Sequence, residues 1–216
     1  MSYKTPEGCK FLFSTTFAAA KTVTTLSNAD PAIAGVTAHG YTEGQEILLT
    51  SGWEDATDAV YLVGTVGGVD NFAVAGLDTT DTDWFAPGGG VGTVQLISNW
   101  IEIPQVLTTT PNGGDPRFVD VNPLARRNGF QIPTGFNPAS LSLTLGHDAG
   151  NANYKTMKDV SRTLQKVAFK QLLADGSATY GYGVLTVQNI AQLTSGQVNQ
   201  VTAVFAAQGA TNEYEA

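Results

Sequence analysis

Two segments, VAFKQLL (167–173) and SATYGYGVL (177–185), meet at Asp175-Gly176 and decide the fold class. Both are rich in the β-branched and aromatic side chains that favour a pleated surface, and Asp-Gly supplies the positive φ angles of a type I′ turn, so an antiparallel hairpin is expected. A second pair, VLTVQNI (184–190) and NQVTAVFAA (199–207), follows at once, joined by a turn around Ser195-Gly196. Upstream, SLSLTL (140–145) alternates without a break. Leu141, Leu143 and Leu145 then share a core face, while Ser140, Ser142 and Thr144 share a wet or interfacial one.

Working outward, one region carries helical spacing. From Ala152 to Leu164, Tyr154, Met157, Val160 and Leu164 recur at steps of three and four and form one apolar stripe, with Asp148 or Asn151 as the cap. At the other end of the chain, Phe11, Phe13 and Phe17 fall on one side of a strand at 10–17, preceded by a polar arm (1–9). Between Ala29 and Ile97 lie the short apolar runs ILL (47–49), VYLV (60–63) and FAVAGL (72–77), closed by WFAPGGGVGT (84–93). WIEIPQVL (100–107) resumes as a strand, TTTPNGGDP (108–116) reads as a loop, FVDV (118–121) as a short strand, and QGATNEYEA (208–216) as a C-terminal arm. The fold class is therefore mainly β (α+β): a β-sandwich or partly closed barrel with one helix packed on it, plus a small β-insertion. The expected division places the core at 1–34 and 96–216, with terminal arms, and the insertion at 35–95.

Composition narrows the function. Only 14% of residues are charged, and the formal net charge is -8, which opposes tight binding to nucleic acid by phosphate neutralisation. Arg126 and Arg127, with Lys166 and Lys170, are too few for a DNA footprint and read as partners for carboxylates on a neighbouring subunit. The single cysteine, Cys9, forms no intrachain disulfide, so a reducing compartment is expected. A signal peptide in FLFSTTFAAA (11–20) is opposed by Pro6 and Glu7 before it and by Ser14, Thr15 and Thr16 within it. No stretch reaches the roughly 18 apolar residues of a membrane span.

No convergent acid, base and nucleophile emerge, so no catalytic residue and no cofactor is assigned. His39 and His147 stand at no metal-ligand spacing, and His147-Asp148 reads as a turn or cap before the helix. GGGVGTV (88–94) lacks the GK[ST] ending of a phosphate loop and reads as a flexible connection. Asp78, Asp81 and Asp83 lack the glycine and distal Glu of a calcium loop and read as turn residues.

The order of several strings carries a resemblance. Glu7-Gly8 before the first strand, HGYTEGQEILLTSGW (39–53), FAVAGLDTTD (72–81), PGGGVGTV (87–94), Trp100-x-Glu102-Ile103, the helix, LLADGSATYGYG (172–183) and VTAVFAAQGA (201–210) together resemble the tail tube proteins, or major tail proteins, of long-tailed, non-contractile bacteriophages (siphophages). The resemblance implies a structural virion protein whose hexameric rings stack into a tube, the conduit for DNA ejection into the host bacterium. It implies assembly in the host cytoplasm, the chain itself as main partner, and tape measure, tail terminator and tail tip proteins beside it. Genomic DNA passes through without specific binding. For a channel past which DNA slides, Ser140, Ser142, Thr144, Gln200 and Thr202 are the candidate wall, with Asp115, Asp120 and Asp148 as candidate carboxylates. Candidate contacts between rings are Asn112, Gly113, Gly114, Arg126, Arg127, Tyr3 and Tyr214. Two other readings stay open: the inner tube of a contractile tail or type VI secretion-like apparatus, and a carbohydrate-binding or adhesive β-sandwich using Trp53, Trp84 and Tyr41 as an aromatic platform.

Overall fold

The computed structural model describes residues 7–216, so Tyr3 lies outside the described residues. Among the described residues, eighteen strands and one α-helix follow in chain order. They are β1 (Lys10–Ser14), β2 (Thr16–Phe17), β3 (Lys21–Val23), β4 (Thr25–Leu26), β5 (Ile33–Gly35), β6 (Glu46–Ser51), β7 (Ala59–Val66), β8 (Asn71–Ala75), β9 (Gly92–Ser98), β10 (Ile101–Glu102), β11 (Val106–Asn112), β12 (Pro116–Val121), β13 (Phe130–Phe136), β14 (Ser140–Gly146), α1 (Ala152–Thr163), β15 (Lys166–Leu172), β16 (Ala178–Val187), β17 (Gln200–Ala207) and β18 (Asn212–Tyr214). The chain is mainly β, with sandwich-like sheets and one helix, as the alternating patterns predict.

The first sheet has the order β10-β1-β15-β16-β17-β14-β11, with β18 beside the start of β16. Its odd-numbered leucines behave as the alternation requires: Leu143 and Leu145 are fully buried with Ala203 and Val201 opposite them, and the partly buried Leu141 stands opposite Phe205. α1 covers this face through Tyr154, Met157 and Val160. Asn151 caps the helix, its side chain accepting from the backbone N–H of Asn153 (2.9 Å) and Tyr154 (3.3 Å). Leu164 does not extend the apolar stripe. It takes the left-handed C-cap conformation at φ 51°, which ends the helix and turns its side chain to solvent.

The second sheet has the order β2-β9-β6-β7-β8-β5-β4, and β3 also pairs with β9. It curls until the consecutive strands β3 and β4 pair with β9 and β5 at its two ends, enclosing Val23, Ile47, Leu49, Phe72, Val74 and Val94. It begins ahead of residue 35. The single strand expected at 10–17 is divided because Ser14 turns the chain from one sheet to the other, its hydroxyl accepting from Thr16 N–H and donating to the Ser98 carbonyl. Phe17 accordingly packs between the sheets and not with Phe11 and Phe13.

Two turns differ from expectation. The hairpin at 173–177 is not type I′: Gly176 has positive φ (93°) but Asp175 does not. Leu173 carbonyl accepts from Gly176 N–H at 3.0 Å and Leu173 N–H donates to Ser177 carbonyl at 2.8 Å, the pattern of a three-residue loop whose last residue is left-handed. TTTPNGGDP is mostly strand, since Thr108 to Asn112 pair with Thr144 to Ser140. The expected C-terminal arm is likewise docked, with β18 on β16.

Candidate functional site

The two sheets meet over a mixed cluster. Leu48, Val60, Ile97, Ala168, Ala178 and Tyr180 form its apolar part. At its centre the Glu46 carboxylate accepts from Lys170 Nζ (2.7 Å), Tyr180 Oη (3.1 Å) and Trp100 Nε1 (3.2 Å). Lys170 also lies over the rings of Tyr180 and Trp100. Burial, then the charge of Glu46 and its hydrogen bond, push the Tyr180 hydroxyl well above the usual tyrosine range. Tyr214 fixes the C-terminus here: its hydroxyl donates to the Ala75 carbonyl (2.8 Å) and accepts from Leu62 N–H (3.3 Å). Burial raises Tyr61 and Tyr214 to about 12. Lys170 and Tyr214 are thus engaged within the chain.

This second sheet covers only the β1, β15 and β16 side of the first. The register continues the uncovered face across four strands: Thr108, Thr110 and Asn112 of β11 stand opposite Thr144, Ser142 and Ser140 of β14, which stand opposite Thr202, Val204 and Ala206 of β17. Val184 and Thr186 of β16 complete it. Gln200, paired with Gly146, belongs to the same face. All five sequence-predicted wall residues are therefore together, half-exposed, on a surface of small neutral side chains across these four strands. The row through Ser140, Ala206 and Val184 ends on β15 at Lys166, which pairs with Asp58 (3.4 Å) within the chain rather than with a neighbouring subunit. The candidate carboxylates lie elsewhere. Asp148 sits in the turn before α1, accepting from Gly150 N–H (3.0 Å); Asp115 is in the β11–β12 connection; Asp120 accepts from Gln131 Nε2 across the next hairpin (2.8 Å).

β11 is an edge strand, and its sequence, VLTTTPN, carries no charge. The usual guards of an exposed edge are lysines, prolines and bulges; here only Pro111 and the shift between Val106 and Thr108 are present. From this edge the chain projects. Gly113 and Gly114, at φ 79° and 77°, occupy the left-handed region that glycine tolerates, and a β12–β13 hairpin continues the β11–β14 ladder beyond them. In that hairpin Val119, Val121, Phe130 and Ile132 share one face and Asp120 and Gln131 the other. Val119, Phe130 and Ile132 are exposed. Arg126 and Arg127 lie in the loop at its tip, with Arg126 over the Phe130 ring. Sequence periodicity missed this projecting element because the signal at 118–121 is short and its partner strand is interrupted by Pro133 and Gly135.

The remaining motifs are structural. Asp78 and Asp81 accept from Thr80 and Asp83 N–H in local turns, and a hydrogen bond from the Thr80 hydroxyl (2.7 Å), with that from its N–H, holds the Asp78 carboxyl below its usual range. Gly90 lies against the Trp53 indole, where a Cβ would come within 2.6 Å of the ring, so GGGVG serves close packing. Trp53 and Tyr41 are buried in the second sheet's core while Trp84 is exposed, so the three form no aromatic platform. His39 is buried, its Nδ1 accepting from Tyr41 N–H (2.9 Å) and its Nε2 facing the Gly68 carbonyl (3.0 Å). Among the described residues, no group of His, Cys, Asp and Glu could hold a metal ion, and no helix is long and apolar enough to cross a membrane.

A family model described as phage tail tube protein, TTP, matches residues 51–216, well over half of the chain. The chain belongs to the phage tail tube protein family. No curated protein matches it. As a tail tube protein it is a structural component of the virion, and its family implies self-association into a tube. Among the described residues, the open edge, the projecting hairpin and the uncovered neutral face are parts of this tail tube protein left without partners inside one copy.

Proposed function

We propose that copies of this chain join edge to edge through β11 into hexameric rings, and that the rings stack into the tube of a long, non-contractile siphophage tail. DNA ejected into the host bacterium passes through it. The observation that carries this reading is the neutral sheet face lying directly beside an uncharged edge strand. Edge pairing extends that face from copy to copy, and closure of the ring leaves no edge open. Ser140, Ser142, Thr144, Gln200 and Thr202, with Thr108, Thr110 and Thr186, then line the channel.

The wall works by offering phosphates nothing to hold. Hydroxyls and amides release no condensed counterions, which is the main source of non-specific affinity for DNA, and the cation bordering them, Lys166, is paired with Asp58, so the DNA slides. Asp115 and Asp148 fall at opposite ends of the wall strands, and Asp120 lies farther out along the hairpin. The rest of the chain's negative charge repels DNA at longer range. The unit around 35–95 faces outward, Asn112, Gly113 and Gly114 form the root of the contact between rings, and Arg126 and Arg127 reach the adjacent ring. Tape measure, tail terminator and tail tip proteins are its further partners in this assembly, which forms in the host cytoplasm.

Negative-stain electron microscopy of the purified protein at rising concentration tests the reading. Stacked rings or hollow tubes with a central channel are expected. A protein that stays monodisperse and unassembled at every concentration would overturn it.

A further inference from the structure

The hairpin leaves one end of the first sheet, where Asn112 and Ser140 lie; the opposite end carries a second unpartnered apolar surface. There the chain passes from β16 to β17 through residues 188–199, QNIAQLTSGQVN, in which Ile190 (85% exposed), Leu193 (72%) and Val198 (65%) all face solvent. The segment is not loose: Gln192 and Gln200 exchange backbone hydrogen bonds of 2.7 and 3.1 Å, and Gln197 N–H closes a turn on the Thr194 carbonyl. Leu164, also exposed, stands close by, because Ser161 in the last turn of α1 accepts from Val187 N–H at the end of β16 (2.9 Å).

We infer that the 188–199 loop and Leu164 form the surface that receives the apolar face of the β12–β13 hairpin from the next copy along the tube. This rests on the tube reading proposed above. Three observations commit the occupant to a second copy of this chain. First, the two surfaces sit at opposite ends of the same strands, so copies stacked head to tail bring them together, and such a heterologous contact repeats without closing. Second, the loop has no charged residue, and the hairpin face of Val119, Val121, Phe130 and Ile132 has a charge only at its tip, where Arg126 lies over the Phe130 ring, so their union strands no charge away from water along the strands. Third, the hairpin is a positive extension of an acidic molecule. Arg117, Arg126 and Arg127 against Asp120 give it a surplus of two, whereas the whole chain is at -8, leaving -10 on the remainder. Six-residue strands reach about 20 Å, enough to carry Arg126 and Arg127 past the loop onto the acidic body of the neighbour.

The test replaces Phe130 with the photo-crosslinker p-benzoylphenylalanine, assembles the protein together with ¹⁵N-labelled unsubstituted chains, irradiates, and maps the products by mass spectrometry. Light-heavy crosslinks into the 188–199 peptide are expected. In parallel, Leu193→Lys should shorten tubes at least tenfold while its circular dichroism stays that of the parent. Normal tubes whose crosslinks fall elsewhere, or Leu193→Lys tubes of parental length, would overturn this inference and leave the tube reading standing. Failure of the parent protein to form tubes in the same micrographs would overturn both.

Discussion

Glu46→Ala should separate the two sheets energetically without touching the neutral face. The carboxylate is the common acceptor for Lys170, Tyr180 and Trp100, and the side chains of Glu46 and Lys170 are only 19% and 18% exposed. Removing one partner of a buried ion pair costs about 3–5 kcal/mol because the other charge stays behind, and residual water access at this site reduces that to about 2–4 kcal/mol. For a chain of this size, about 2–4 °C is lost per kcal/mol, so Tm should fall by about 5–15 °C. Thermal unfolding followed by Trp fluorescence reads this directly, since Trp100 donates to the missing group. The double variant Glu46→Leu, Lys170→Met removes both charges and should recover about half of the loss, the Tyr180 hydroxyl and Trp100 N–H still lacking their acceptor. A single-variant loss under about 0.5 kcal/mol, or a double variant no better than the sum of the singles, would refute the clamp.

Asn151→Ala removes the acceptor for two helix N–H groups and should cost about 1 kcal/mol, seen as a drop of a few degrees in Tm. At alkaline pH the tyrosines matter: Tyr61 and Tyr214, near 12 when folded, ionise near 10 once unfolded. Their stabilisation is complete below pH 10 and disappears as pH rises from 10 toward 12, because the unfolded chain then binds fewer protons. Urea midpoints measured across that window should fall steadily, and a flat profile would contradict their burial. Thr202→Lys, on a half-exposed position of the neutral face, should leave monomer Tm within about 2 °C yet slow DNA release from virions carrying it, measured by dye uptake after triggering.

The alternation of SLSLTL, the pairing of 199–207 and the helix at 152–163 were legible because each is a long, uninterrupted period with one buried face. From these the sequence also places Ser140, Ser142, Thr144, Gln200 and Thr202 on one sheet face, since strand register follows from which leucines and valines must be buried. Other features depend on geometry outside any local window. Ser14 moves the chain between sheets through a carbonyl 84 residues away, and β18 is only three residues long yet is held by Tyr214 against β7 and β8. Leu164 fits the apolar stripe by spacing, but its left-handed backbone takes it out of the core. Trp53 and Tyr41 read equally well as a surface platform or as core, because an aromatic string does not state which sheet face it occupies. The candidate carboxylates Asp115, Asp120 and Asp148 stand outside these rows, because a net charge summed over the chain carries no positional information.

The most direct measurement is a cryo-electron microscopy reconstruction of the assembled tube at side-chain resolution. The account predicts a channel lined by the rows of Ser140, Ser142, Thr144, Gln200 and Thr202, with β11 of each copy paired to its ring neighbour. A channel lined by the second sheet, or a filament in which β11 stays unpaired, would contradict it.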